Sequence, residues 1–378
     1  MKRNLFIAQP VLGDEEWEAL KEPLQSGWVT QGPKVGEFER LFADRHQVKH
    51  ALACTSATTA LHLALVALGI GEGDEVLVPS FTWVASANVV IYCGAKPVLV
   101  DINLRSYNID AEDVARKITR KTKAIIAVHL FGLCADIDAI KAAAPGIHVV
   151  EDAACAAGAG YKGTPAGGLG DLGCFSFHPR KSITTGEGGM VTTNNEALGE
   201  KVNMLRNHGA SVSEEQRHHG PKPFILPDFN ILGFNYRMTD LQGAVGVVQI
   251  GKLDRLIDER QEAAIFYNET LADIDWLQTP ELSEDYKHGW QSYVLLIDEN
   301  KAPMRRNDMM EKLQEGGVST RPGTHAVHML NFYAQKYGYK PEDLPKSKTA
   351  NDTTMAIPLH NNMSSEDYQY VVDMIQSL

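Results

Sequence analysis

The sequence has no CxxC pair and no apolar run as long as a membrane span. Its 5 cysteines, at positions 54, 93, 134, 155 and 174, are odd in number and widely spaced. That spacing argues against a disulfide framework and a zinc site, and it suits a reducing cytosol. Without about 20 consecutive apolar residues no transmembrane helix is expected. The start, MKRNLFIAQPVLGDEE, has a basic tip, but its apolar part is short, is broken by Gln9 and Pro10 and runs into acidic residues. No signal peptide is expected, and the chain reads as cytoplasmic. Basic charge is also scarce, with 36 Lys and Arg against 48 Asp and Glu and a net charge of −12. A general nucleic-acid binder carries a basic face, so that class is set aside. Anionic small molecules stay compatible, because one pocket can differ in sign from the whole.

What the chain does have is length and alternation. Its 378 residues, 44% hydrophobic and 22% charged, suffice for a large domain with a smaller one attached. Residues 1–25 read as an extended arm and then a helix, with Asp14 as cap and Trp17, Leu20 and Leu24 at helical spacing. Residues 26–36 (SGWVTQGPKVG) form a Gly-rich loop, after which Val35, Phe38, Leu41 and Phe42 restart a helix. Short strands are expected at 51–54, 75–78, 97–100, 124–128, 147–150 and 174–177, with helical stretches between them, one opening at 55–59 and one at 136–143. Such alternation predicts an α/β layer structure with a mostly parallel sheet, whose ligands sit beyond the carboxyl ends of the strands. Thr55, Ser80, His129 and Asp152 all fall at such ends. Residues 210–232 read as a long irregular loop that contacts substrate. A long helix is expected from Thr239 to Leu271, leading to an α+β part with strands at 292–297 and 318–321 and helices at 306–315 and 365–378. The expected division is 1–250 for a large cofactor-binding domain and 251–378 for a small C-terminal domain.

The stretch 174–190, CFSFHPRKSITTGEGGM, places Lys181 on a turn between His178-Pro179 and the glycines at 186, 188 and 189. A lysine amine forms a Schiff base with a carbonyl, and its pKa moves readily on burial. Taken alone, a turn lysine is more often simply exposed. Asp152 follows HVVE and precedes small residues, which suits either a flat ligand or a helix cap. The helix start Thr55-Ser56-Ala57-Thr58 suits either a phosphate or a plain cap. Trp83, in a loop at a strand end, stacks on a planar ring or belongs to the core. Together these four features are what a phosphorylated pyridine aldehyde requires. Lys181 would hold the aldehyde, Asp152 would pair with the ring nitrogen, the helix start would hold the phosphate and Trp83 would stack on the ring. Arg321, His325 and His328, in TRPGTHAVHML, are candidate diphosphate or sugar contacts, or else solvated loop residues.

FSFHPRKSITTGEGGM, with EDAACAAGA before it and GFNYRMTDLQGAVG after it, resembles the pyridoxal-phosphate sugar aminotransferases of the DegT/StrS family. SGWVTQGPKVGEFE, SATTALHLAL, VPSFTWVASAN, PVLVDI, AVHLFG and EDAA follow in the family's order, over residues 8–250 closely and more loosely beyond. Within the family the pattern is similar to the perosamine synthases, which make 4-amino-4,6-dideoxy sugars on a nucleotide carrier. The resemblance implies a fold-type I architecture: a mainly parallel seven-stranded sheet flanked by helices, plus a smaller α+β domain. It also implies a homodimer with active sites at the interface. Lys181 is then the Schiff-base lysine and Asp152 the ring-nitrogen partner. Ala57, Thr58 and Ser176 bind the cofactor phosphate, Asn235 reaches it from the other subunit, and Trp83 stacks. Thr30, Gln31, His129, His178 and Glu187 line the substrate side. Cys155 departs from the pattern: many relatives have Gln there, near the cofactor's ring hydroxyl, and a thiol is a weak hydrogen-bonding group.

The implied reaction moves an amino group from L-glutamate, through pyridoxal 5'-phosphate, to a nucleotide-linked keto-sugar, foremost the 4-keto-6-deoxy form. Lys181 acts as tether and as general acid and base. Related dehydratases have histidine at the lysine position, which Lys181 argues against. Two rival readings keep the same fold: an aminotransferase acting on a cyclitol, and a non-catalytic regulator.

Overall fold

The structure is a computed structural model that describes residues 3–211, 226, 228–281 and 283–378. Seven strands make the central sheet: β1 (His50–Cys54), β2 (Glu75–Pro79), β3 (Lys96–Val100), β4 (Thr122–Val128), β5 (His148–Asp152), β6 (Leu172–Ser176) and β7 (Gly189–Thr193). Their order is β1-β7-β6-β5-β4-β2-β3. Strands β2 to β6 are parallel to their neighbours among themselves, and β7 runs antiparallel to both β1 and β6. Strands buried on both faces read as continuous apolar runs, and β2 (EVLVP) is buried at every position. The six strands expected up to residue 177 lie within two residues of those observed, while β7 was not expected.

The Ala57–Ala67 helix is apolar around most of its circumference because it packs on β6 and β7 and under neighbouring helices. It approaches β7 closely at Gly189, where an added Cβ would lie 2.3 Å from the Ser56 carbonyl carbon. The Asp240–Thr270 helix begins at a capping box made by Thr239 and Gln242. Its first half joins the core around Phe38, Phe42, Phe175 and Phe177 through Leu253, Leu256 and Ile257. Its second half joins the C-terminal core through Ala263, Ala264 and Tyr267, beside Trp290 and Tyr293. The helix is therefore continuous through position 250. The C-terminal part has a three-stranded antiparallel sheet of β8 (Leu277–Gln278), β9 (Tyr293–Ile297) and β10 (Thr354–Ile357), with helices Arg306–Glu315 and Ser365–Gln376. Among the described residues no helix is long and apolar enough to cross a membrane.

Three local expectations are corrected. Gly13, not Asp14, is the N-cap of the first helix, Asp14–Ala19, which is followed by a second, Lys21–Ser26. The buried residue of the first helix is Glu16, at 4% exposure, and that of the second is Pro23, while Trp17 and Leu24 are 66% and 61% exposed. This face docks through charge: Glu16 Oε1 accepts from Lys252 Nζ (2.6 Å) and Gln249 Nε2 (2.8 Å). Burial raises the Glu16 pKa, but these donors and the Gly13 amide leave it below the usual value. The third correction is at 318–321, where Val318 and Arg321 make only isolated bridges, to Leu5 and Ala356. Pro322 follows and has no N–H to continue a ladder. Most of the 210–232 loop lies outside the described residues.

Candidate active site

Register brings one end of the sheet together. Asp152, the last residue of β5, lies opposite Cys174 of β6, and Ser176 two residues on shares that face. Ser176 lies opposite Gly189 of β7, which in turn lies opposite Cys54 of β1. Cys54 leads directly into the Ala57–Ala67 helix. Ser56 caps that helix, its Oγ accepting from Thr59 N (3.2 Å), while Ser56 N donates to Thr59 Oγ1 (3.0 Å). A helix start leaves its first amides without intrahelical partners, so those of Ala57 and Thr58 are available to an anion at the positive end of the dipole. Thr55 Oγ1 is within 3.0 Å of Thr59 Oγ1 and belongs to the same cap.

Asp152 is 6% exposed. Its Oδ2 accepts from Ser86 Oγ at 2.7 Å and its Oδ1 from Ala154 N at 3.2 Å. Lys181 stands on a turn in which its N–H donates to His178 O (2.8 Å) and Arg180 N donates to His178 Nδ1 (3.2 Å). Thr184 Oγ1 and Thr185 N both donate to Phe177 O, and Gly186 adopts φ +83°, which closes the loop. The Lys181 Nζ donates to Cys155 Sγ at 3.2 Å, three residues past Asp152. Burial lowers the His178 pKa below the usual value. A neutral ring has a free lone pair at Nδ1, as the Arg180 bond requires.

Other candidates sit elsewhere or act differently. Trp83 is 62% exposed and pairs with the exposed His325 at 5.8 Å between ring centroids, at 41°. These two form a rim connected to Asp152 through Ser86, since Thr82 pairs with His325 and Ser86 lies one turn on. His129 is corrected. It is fully buried, with Nε2 at 2.9 Å from Glu151 Oε2 and Nδ1 accepting from Ala135 N, so it faces the interior and not a substrate. His328 is corrected likewise. It is fully buried, with Nδ1 at 2.7 Å from Ser80 Oγ and Nε2 at 3.1 Å from Pro341 O. Burial lowers its pKa. Arg321 is exposed, and its guanidinium donates to Thr320 O (2.7 Å).

Thr30 and Glu187 are exposed and are tied in through their carbonyls, which accept from Asp240 N (3.1 Å) and Gln242 Nε2 (2.7 Å). Gln31 lines a cavity of about 330 Å³ with Glu39, His50, Arg206, Asn207 and Arg237, which contains neither Lys181 nor Asp152. The exposed Asn235 borders it through a backbone bridge to Asn207. Ser86 and Glu151 were not singled out from the sequence. A hydroxyl at the second position of a helix, and an acid beside another acid, carry no signal until register shows what they face.

The donor set fits pyridoxal phosphate. A buried carboxylate, an amine on the turn that follows β6 and a capped helix start with free amides lie at one end of the sheet. Asp152, Lys181 and Ala57 with Thr58 and Ser176 are the residues that would hold ring, aldehyde and phosphate.

The profile of the DegT/DnrJ/EryC1/StrS aminotransferase family matches residues 10–376. The chain is 39% identical to a GDP-perosamine synthase of Caulobacter vibrioides, covering 98% of this chain and 96% of that one. It is 38% identical to the spore coat polysaccharide biosynthesis protein SpsC of Bacillus subtilis, covering 100% and 98%. Among solved structures, the PLP form of the putative sugar aminotransferase Spr1654 from Streptococcus pneumoniae superposes with a TM-score of 0.90 at 28% identity, covering 99% and 98%.

Proposed function

The chain belongs to the DegT/DnrJ/EryC1/StrS aminotransferase family and is a pyridoxal-phosphate-dependent sugar aminotransferase; from that premise we propose that it moves an amino group from L-glutamate to a nucleotide-linked 4-keto-6-deoxyhexose. The product is an amino-dideoxy sugar for a surface polysaccharide, glycan or secondary metabolite. The observation that carries the reading is Lys181 Nζ beside Cys155, three residues past the buried Asp152, at the carboxyl end of the sheet. The likeness to a GDP-perosamine synthase supports the acceptor class.

When bound, pyridoxal phosphate supplies an electrophilic carbon and a ring that withdraws electrons. Each surrounding residue has its own task. Asp152, oriented by Ser86 Oγ and Ala154 N, offers an anionic oxygen to a ring N–H and so favours the protonated ring. The helix start at Ala57 and Thr58, with Ser176, binds the phosphate dianion. Lys181 would hold the aldehyde carbon and, with its amine free, would take and return a proton at Nζ. Cys155 offers only a weak sulfur contact, so the amine is not locked in one place. Trp83 closes one face of the pocket from the rim. A homodimer completes the site: exposed Asn235 reaches across, flanked by Phe229 and Leu232 at 59% and 88% exposure.

Absorbance of the purified protein tests this. Wild type is expected to be yellow and to bleach with L-glutamate, then to recover colour when a nucleotide-linked 4-keto-6-deoxyhexose is added. Lys181→Ala is expected neither to bind the cofactor covalently nor to turn over. A mutant that cycles normally overturns the role of Lys181. Bleaching that only another amino acid causes overturns the donor, and recovery only with a keto-cyclitol overturns the acceptor.

A further inference from the structure

The two residues that flank Lys181 are both tied to one segment from beyond the long helix. Arg180 O accepts from Gln291 Nε2 at 3.0 Å, and Ser182 Oγ donates to Gly289 O at 3.4 Å. Lys181 itself has no bond to that segment; its amide stays within the turn and its amine points to Cys155. The peptide on each side of the lysine is therefore held, while its side chain is left to move.

The anchoring segment is itself pinned from two sides, by residues 131–132 and by the Asp240–Thr270 helix. Gly289 N donates to Gly132 O (2.8 Å), and Gln291 N and Ser292 N donate to Phe131 O (3.1 and 3.3 Å). Phe131 and Trp290 both adopt left-handed backbone, at φ 59° and 42°, which bulky side chains keep only where the surroundings impose it. Trp290 is fully buried, stacks on His288 at 3.8 Å, and its carbonyl accepts from Arg260 of the Asp240–Thr270 helix at 3.1 Å. Ser292 Oγ donates to Gln291 Oε1 (3.1 Å), which turns the amide so that Nε2 faces Arg180 O. Gln291 is thus a fixed donor aimed at the peptide next to the reactive lysine. Its reach links that lysine to the core of the C-terminal part.

We propose that Gln291 is a positioning residue for Lys181, holding the 180–182 peptide so that the amine leaves and regains its carbonyl partner by side-chain rotation alone. The proposal rests on Lys181 being the reactive lysine. A misplacement of about 1 Å costs on the order of a hundredfold in rate where geometry is fixed by such contacts. The test compares wild type, Gln291→Ala and Gln291→Glu; the last keeps size but removes the donor. Three quantities are read: kcat and KM for the amino donor, the rate at which pyridoxal phosphate added to cofactor-free protein regains the lysine-bonded absorbance, and Tm.

Both variants are expected to lose about tenfold or more in kcat and in the reconstitution rate, with KM within twofold and Tm nearly unchanged. Variants within twofold of wild type in both rates overturn the proposal. So does a loss of rate that only follows a large fall in Tm, because that marks a packing role. Lys181→Ala run alongside keeps the two readings separate: if it retains the covalent absorbance, the lysine assignment has failed, whatever the Gln291 variants do.

Discussion

Glu151→Gln puts the buried network behind the site under test. Glu151 is fully buried, beside Asp152 on β5 but on the opposite face. Its Oε1 accepts from Leu169 N (2.8 Å) and Gly170 N (2.6 Å), and its Oε2 from Gly167 N (2.7 Å) and His129 Nε2 (2.9 Å). Because His129 Nδ1 accepts from Ala135 N, the ring proton is assigned to Nε2 and points at the carboxylate. All four approaches are donors. Glutamine keeps the shape but replaces one acceptor oxygen with an NH2 group. Whichever way the amide turns, two buried donors then face a donor. Each unsatisfied donor costs about 1–3 kcal/mol, so the substitution costs ~4 kcal/mol. A chain of 378 residues unfolds with an entropy near 0.8 kcal/mol per degree, so Tm falls by roughly 5 °C. Calorimetry on cofactor-free wild type and variant measures this directly. The same loss loosens the strand end that carries Asp152, so pyridoxal phosphate should bind several-fold more weakly. A Tm within 1 °C of wild type would refute the reasoning, because it would mean the carboxylate is not accepting from four donors at once.

Two further outcomes are expected. Gly189→Ala sets a Cβ 2.3 Å from the backbone of Ser56, which cannot yield without moving the helix start, so cofactor affinity falls and stability drops by about 1–3 kcal/mol; an absorbance titration and a thermal melt check both. Burial lowers the pKa of His46 to about 4 and that of His288 to about 3, against 6.5 in the unfolded chain. Below pH 6.5 the unfolded chain then binds protons that the folded one refuses, so stability present at pH 7 is lost as pH falls, by up to ~1.4 kcal/mol per pH unit for each histidine down to its folded pKa. Urea midpoints at pH 7, 5.5 and 4.5 should fall in that order, and His46→Phe should flatten the trend; a flat profile in wild type would show that these rings are not held neutral.

The proposed site was legible in part because the residues assigned to it also carry local backbone signals. Lys181 stands among glycines and hydroxyls that close a turn, and Ser56 and Thr59 announce a capped helix. Asp152 ends an apolar strand whose length sets where the sheet stops. The misplaced candidates failed for one shared reason. His129 and His328 lie near strand ends, as substrate contacts do, but both side chains turn inward to pair with Glu151 and Ser80. Position along a strand is readable from an apolar run, whereas the direction of a side chain after the strand ends depends on the turn that follows. The first helix failed differently. Trp17 and Leu24 suggested an apolar face, yet that surface is docked by Glu16 on Lys252, a contact across 236 positions that no local period reports.

The order of strands, helices and caps was therefore determined by the sequence itself, since apolar runs, glycine turns and Ser/Thr caps act over a few residues. So was the set of chemical groups, with the lysine, the aspartate and the capped helix start in one ordered pattern. What only the tertiary structure decided is which groups meet. Parallel register puts Asp152 level with Cys174, the antiparallel β7 brings Gly189 against Ser56, and a strained segment from beyond the long helix sets Gln291 on the peptide beside Lys181. Those meetings depend on strand pairing and close packing between residues far apart in the chain, where no short-range preference reaches.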